Sequence, residues 1–574
     1  MIRALSFAAT VAFALQGAAV CAAPRQERRL LGYGWDILAS TPDVVLANAA
    51  KFDASGLDGV FAEIRFKAGG RKFSSQTIVN DAPWPRAELE RQMLPALREF
   101  PKHKGLRESL VGAWFMPQKR LDWNDDAAWR AFAGNVGELA SLARKAGLKG
   151  LWFDTEDYAH QSQYSYARHL DGPSFDVAAE TARRRGREVS AALFAGHPRA
   201  VVMATWFLSV RLGYALTDDP AAMARASGDL WPAFLDGMLD AAPPEAVFID
   251  GCESGYELDA ARNEFHLHAA RMRRNADSLV APGNRAKFRE PFASGFGLYL
   301  DMYVNEPGGH YYFGPAADGS RLTTLRENLS QALDASTSGY AWVYGERHAW
   351  VEWEKVPKDV GAFQRRWSER LRGKAGIWEN ALPGLARTLR FAKDRNAFLR
   401  EAAAGLSREG RLVSKVGNGS CRTKAANPTA LPSGFWDWSA PGTRENIFEG
   451  AATGGRNGSS CIVAKGPARG AVGTDVAVKP GEWLRASFWA RGDGANGSLA
   501  FKHGNDFVGK WPRAPFVFGE PDAAGWRRGE AFAQVPEGSD KAVIMGSVNL
   551  GAGGEVRFDD FELVTLQIAD AAVK

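Results

Sequence analysis

The stretch Leu148–Tyr158 reads L-K-G-L-W-F-D-T-E-D-Y, an apolar run that ends in three carboxylates, Asp154, Glu156 and Asp157. A buried strand finishing in acids puts charge at the rim of a core, where water and a ligand reach it. Side chains two apart on a strand share a face, so Trp152, Asp154 and Glu156 set an aromatic platform beside two carboxyl groups. That is equipment for holding a sugar ring and protonating an acetal oxygen, the chemistry of glycosidic cleavage. The competing reading is an ion-pair cluster at a strand end, because structural ion pairs also gather carboxylates.

The elements that must position these acids are legible as apolar runs alternating with amphipathic stretches. Eight strands are predicted: Leu31–Leu38, Gly59–Phe66, Leu110–Met116, Lys149–Phe153, Ala200–Phe207, Ala246–Ile249, Gly297–Val304 and Tyr340–Tyr344. Between them, Ala127–Ala146 has apolar residues at steps of three and four and Gly147 as a stop, and Phe175–Phe194 and Leu322–Ala335 behave alike. Strands alternating with helices imply an α/β fold, a (β/α)8 TIM barrel over residues 23–408. The alternative, an open doubly wound sheet, lacks its usual glycine-rich loop after the first strand.

The C-terminal ends of these strands are polar. They carry Trp35-Asp36, Glu63 with Arg65, Gln118-Lys119, Asp154 to Asp157, Asp250 to Glu253, Asp301 to Glu306, and Tyr344 to His348. In barrels that rim is where active sites are built. After Arg408 the texture changes to dense Gly, Ser, Asn and Pro with short alternating runs, which predicts an all-β jelly-roll sandwich over residues 412–566.

Residues 1–22 read as a secretory signal, with Arg3 in a positive start, Ala4–Leu15 apolar, and small residues flanking Cys21. The expectation is a secreted or periplasmic protein. Loss of Arg3 lowers the net charge from +5 to +4, and no block of like charge appears, so nucleic acid is not expected as a partner. Nor does any run of the length needed for a membrane span occur. Export would permit a disulfide between Cys421 and Cys461, leaving Cys252 alone, and no zinc-ligand spacing is present.

The order Val476–Gly494 (V-A-V-K-P-G-E-W-L-R-A-S-F-W-A-R-G-D-G), Gly525-Trp526, Val535–Gly538 and Val556–Leu563 (V-R-F-D-D-F-E-L) resembles the jelly-roll carbohydrate-binding modules of families four and nine. The resemblance implies glycan contact through Trp436, Trp438, Phe507 or Trp511, and a structural calcium at Asp560. Within the last strand, Val556 and Phe558 share one register while Phe561 and Leu563 occupy the other, so the pleat must be reset at Asp559-Asp560, as by a bulge. The alternative to calcium is an Asp that caps backbone N–H groups. The barrel resembles the glycoside hydrolase superfamily in layout without matching one family. D-T-E at strand four is similar to the D-x-E of chitinase-like enzymes, but Lys149 and Trp152 stand where upstream acids belong. Strand four also lacks the Asn-Glu of the large retaining clan.

Roles follow from the chemistry. Glycoside hydrolysis needs one protonated and one ionised carboxyl across the bond, about 5–5.5 Å apart for retention and roughly 6.5–9.5 Å for inversion. Glu156 is expected as general acid, its pKa raised by Asp154 and Asp157. Glu253 or Glu346 is expected as its partner, with Asp250 in reserve. Trp35, Asp36, Glu63, Asp157, Trp206, Asp301 and Tyr344 are expected to bind substrate, a polysaccharide or oligosaccharide, and Tyr33, Trp114, Tyr303 and Trp342 also fall near strand ends. No cofactor is expected for catalysis. His310 and His348 lie on rim loops without metal-ligand spacing. Two rivals remain: a polysaccharide lyase recruiting Arg65 and Lys119, and a non-catalytic glycan-binding protein with a degenerate barrel.

Overall fold

The structure is a computed structural model and describes residues 27–158, 160–166, 173–211, 220–289, 292–309, 311–353, 376–424, 426–427, 429–442, 445–509 and 514–566. The predicted signal segment, His310 and Trp511 lie outside the described residues. The described chain divides into two compact units at Asp394/Arg395. The helix Arg395–Arg408, which the sequence reading assigned to the barrel, groups with the second unit.

The first unit is a barrel of parallel strands: β1 (Arg29–Gly34), β2 (Gly59–Ala62), β3 (Leu110–Trp114), β4 (Gly150–Asp154), β5 (Val201–Ala204), β6 (Val247–Asp250), β7 in two halves (Phe292–Ser294 and Phe296–Tyr299) and β8 (Tyr340–Gly345). Each pairs with its chain neighbour, and β8 pairs with β1. The two halves of β7 meet at Gly295, one pairing with β6 and the other with β8, so the sheet nearly closes on itself. All eight predicted strands form, but several stop sooner than their apolar runs. Trp35–Leu38 turns helical, and Leu300–Tyr303 becomes a single tight turn.

Inside the barrel, Leu31, Phe61, Leu110, Trp152, Met203, Ile249 and Trp342 form a packed core. Outside, α1 (Asp126–Ala146), α2 (Phe175–Gly196), α3 (Trp231–Ala241) and α4 (Arg321–Ala335) cover the strands. The Asp125 carboxylate accepts the N–H groups of Ala127 and Ala128 at the start of α1, and Gly147 ends it in the left-handed conformation at φ 78°. α2 and α3 pack so closely that a Cβ on Gly186 would lie 1.9 Å from the Phe234 carbonyl oxygen.

The second unit is a sandwich of two antiparallel sheets. One runs Phe435–Ser439, Ala468–Ala477, Lys541–Leu550, Ala495–His503, Asp506-Phe507. The other runs Phe448–Ala451, Cys461–Lys465, Glu555–Leu566, Trp483–Arg491, Trp526–Gln534, Val517-Phe518. Their facing sides bury Val472, Phe488, Leu499, Ile544, Phe558 and Phe561. The bulge is present: Asp559 pairs with Trp489 and Glu562 with Ser487, so two residues oppose one, and Asp560 takes φ 53°.

The carboxylates at that bulge face protein groups. The Asp560 carboxylate lies 3.9 Å from an Arg456 guanidinium nitrogen. The buried Asp559 accepts from the Arg456 N–H at 2.8 Å, the Ser459 hydroxyl at 2.7 Å and the Asp560 N–H at 2.8 Å. Among the described residues no group of three His, Cys, Asp or Glu is placed to hold a metal ion. The disulfide is not formed either: Cys421 and Cys461 are buried and free, their thiols directed at the carbonyls of Gly419 and Thr453. No helix of the described residues is long and apolar enough to cross a membrane.

Candidate active site

β1 and β8 run in register, so Tyr33 stands level with Tyr344 at the C-terminal end of the barrel. Their rings are 5.2 Å apart between centroids, and Tyr33 packs at 4.7 Å on Trp152 of β4. Tyr256 and Tyr299 continue the wall, stacked on each other at 5.4 Å, with Tyr299 at 5.5 Å from Tyr344. The result is an aromatic mouth over the apolar barrel core.

Four carboxylates converge on it from three alternate strands. Asp154 ends β4, and Glu156 follows two residues later, its N–H donating to Asp154 Oδ1 at 3.0 Å. Glu253 follows β6, after a turn in which Cys252 takes φ 45°. Glu346 follows β8, its Oε1 accepting the Tyr344 hydroxyl at 3.1 Å. Burial raises the pKa of Asp154, and repulsion from Glu156 and Glu253 raises it further. Glu156 is raised by burial and by Glu346, while the hydroxyl of Tyr158, donating to Glu156 Oε2, pulls the other way. Glu253 is pushed up to about 8, by burial and then by the charge of Glu156. The arrangement therefore sets carboxyls of raised pKa side by side, with Glu253 keeping its proton at neutral pH and the Tyr158 hydroxyl favouring the ionised form of Glu156.

The remaining acids of the rim are engaged by the protein. Asp250 accepts from the Leu208 N–H (2.7 Å), the Ser209 N–H and hydroxyl (2.8 and 2.7 Å) and the Cys252 N–H (3.1 Å), so both of its oxygens hold loops that carry the site. Asp36 is buried and accepts from the Trp350 N–H at 2.7 Å and the Trp353 indole at 3.1 Å; burial lifts it to about 6. Glu63 is fully buried, accepts the Ser74 hydroxyl at 2.8 Å, and is lifted by burial to about 7. Asp301 accepts the Glu346 N–H at 2.8 Å and faces Arg347 at 3.4 Å, and burial lifts it to about 6.

Asp157 accepts from the N–H groups of Gln161 and Ser162, and with Thr155, Trp206, Arg211 and Asp229 it lines a neighbouring cavity of about 350 Å³. Trp206 is half-buried there beneath the Arg211 guanidinium, 4.8 Å from its ring. Trp35 packs half-buried against the barrel core, Trp114 and Trp342 belong to that core, and Tyr303 is buried with its hydroxyl on Asn328. Arg65 is held by the carbonyls of Leu38 and Ala39 and by Glu63.

The sequence reading did not single out Tyr158, Tyr256 and Tyr299. Tyr256 stands three residues after Glu253, in E-S-G-Y, and Tyr158 two after Glu156, in E-D-Y, so an aromatic following each acid was the available signal.

No family model matches the chain, and no curated protein matches it. Partial matches exist among solved structures. The enzymatically active domain of tailspike protein 4 of bacteriophage CBA120 is 15% identical, over 27% of this chain and 22% of that one, with a TM-score of 0.22. The module TmCBM61, solved with β-1,4-galactotriose, is 14% identical over 27% of this chain and 99% of its own, with a TM-score of 0.19. The arabinose-bound MgGH51 α-L-arabinofuranosidase is 12% identical over 27% of each chain, with a TM-score of 0.20.

Proposed function

We propose that the barrel is a glycoside hydrolase acting on O-glycosidic bonds of a polysaccharide or oligosaccharide, and that the sandwich is its carbohydrate-binding module. The protein would then act outside the cytoplasm, as the signal-like start suggests. One observation carries the reading: acids from three alternate strands share a tyrosine-walled mouth, and one of them, Glu253, keeps its proton at neutral pH.

In this reading the acid role moves from Glu156 to Glu253. Glu253 accepts no hydrogen bond among the described residues and is held neutral, so it donates its proton to the leaving oxygen. Glu156 accepts the Tyr158 hydroxyl, which favours its anion, and faces the anomeric carbon as nucleophile or as base toward water. Glu346, oriented by Tyr344 and by its own N–H on Asp301, is placed for a sugar hydroxyl.

The test uses two substrates. Removing a general acid costs roughly 10²- to 10⁴-fold when the leaving group needs a proton. Glu253→Gln should lose that much on a natural glycan and far less on a dinitrophenyl glycoside, whose leaving group needs none. Glu156→Gln should be crippled on both. Equal losses for Glu253→Gln on the two substrates would refute the assignment, and absence of any reducing-end release by the wild type from a broad glycan panel would refute the hydrolase.

A further inference from the structure

Tyr158 stands out on the rim because its two ends have opposite surroundings. Its hydroxyl donates to Glu156 and lies close enough to Asp154 and Glu253 to feel their charges. Its residue is nevertheless 62% exposed, and its ring meets no other aromatic ring among the described residues. A large apolar ring is thus left bare over the mouth while its polar tip is tied to a site carboxylate. Packing does not account for that exposure, since no part of the barrel core is completed by it.

We propose that Tyr158 is both a positioning residue and a wall of the sugar site: its hydroxyl holds Glu156 as the carboxylate, and its exposed ring face receives a sugar ring seated between Glu156 and Glu253. The proposal rests on the glycosidase reading. Sugars present C–H faces that stack on an aromatic ring, and a bare tyrosine next to the reacting carboxylates offers such a face at the point of cleavage. The same hydroxyl removes the freedom of Glu156 to turn away from the bond.

The ionisation of Glu156 is set by groups on several elements. Asp154 faces it from β4, Glu253 and Tyr256 from the turn after β6, Glu346 from the end of β8, and Tyr33 from β1. All of these are acids or neutral phenols, and no cation among the described residues offsets Glu156. Among the described residues Tyr158 is the one donor to its side chain, so deleting that donor has a definite sign: Glu156 must become harder to ionise.

Two variants separate the two roles. In protein labelled with ¹³C at the glutamate carboxyls, the Glu156 signal is identified by its loss in Glu156→Gln. A hydrogen bond to a charged group corresponds to roughly one to two pH units in its midpoint, so Tyr158→Phe should raise the Glu156 midpoint by that amount. In the active enzyme the acid limb of kcat should move up equally, with KM unchanged because the ring remains. Tyr158→Leu removes the ring as well and should raise KM about threefold to tenfold. The carboxyl titration needs no turnover, so it stands or falls separately from the hydrolase reading. An unshifted Glu156 midpoint in Tyr158→Phe overturns the positioning role, and an unchanged KM in Tyr158→Leu overturns the wall.

Discussion

Glu253 ties the chemistry of the mouth to the stability of the barrel. Its folded pKa of about 8 lies above the ordinary 4.5 of a glutamate, so the native state binds its proton more tightly than the unfolded chain does. Stability therefore falls as pH rises from about 4.5 through 8, where the folded protein must surrender a proton against burial and the charge of Glu156. Each tenfold of that difference corresponds to about 1.4 kcal/mol. Glu253→Gln, neutral at every pH, should match the wild type in thermal midpoint near pH 5 and exceed it increasingly toward pH 9. A difference that stays flat with pH would contradict the burial of an ionisable group there. In the wild type kcat/KM should turn down near pH 8 as the acid is lost. At this scale the sequence exposed the acids but not their partners. Glu156, Glu253 and Glu346 were legible because each follows an apolar run. That Asp36 is held by Trp350, 314 residues away, and Glu63 by the Ser74 hydroxyl was not, since nothing local announces a distant donor.

Between residue and fold stand the turns that aim the acids, and Asp250 is the clearest of them. It ends β6 fully engaged, gathering the Leu208-Ser209 loop after β5 and the Cys252 N–H that leads into Glu253. Hydrogen bonds to a buried charge contribute about 1.5–3 kcal/mol each when a partner is lost. Asp250→Asn turns one acceptor oxygen into a donor facing N–H groups, so it should cost about 3 kcal/mol in denaturant unfolding and lower kcat by displacing Glu253. Full stability in that variant would mean the loops hold themselves. The strands show why elements were easier to read than their ends. Burial on both faces makes each strand a continuous apolar run, which marks it plainly. The same apolar character continues through Trp35–Leu38 and Leu300–Tyr303, where the chain has already left the sheet to turn across the rim, so the runs overshoot. The bulge at Asp559-Asp560 was legible because a phase change in a two-residue repeat leaves no other solution.

At the scale of the molecule, the two units have separate hydrophobic cores. The barrel encloses Leu31, Phe61, Trp152 and Trp342, with a second layer between strands and helices, while the sandwich closes on Phe488, Leu499, Ile544 and Phe558. A unit with its own core and its own complete sheets meets the requirement for folding alone. The change in sequence texture near Arg408 announced two architectures, but the helix Arg395–Arg408 carries the same amphipathic signature as a barrel helix, and only its contacts assign it to the sandwich. The division at Asp394/Arg395 then predicts how function separates. A chain ending at Asp394 should keep the wild-type kcat on soluble oligosaccharides, because every acid and tyrosine of the mouth lies before that point. On an insoluble polysaccharide it should turn over more slowly, since the module that would concentrate it on the surface is gone and binding there loses its multivalent gain. Residues 395 onward, expressed alone, should sediment with that polysaccharide without releasing reducing ends. If the shortened barrel hydrolysed insoluble and soluble substrates as well as the full chain does, the sandwich would have no part in substrate capture.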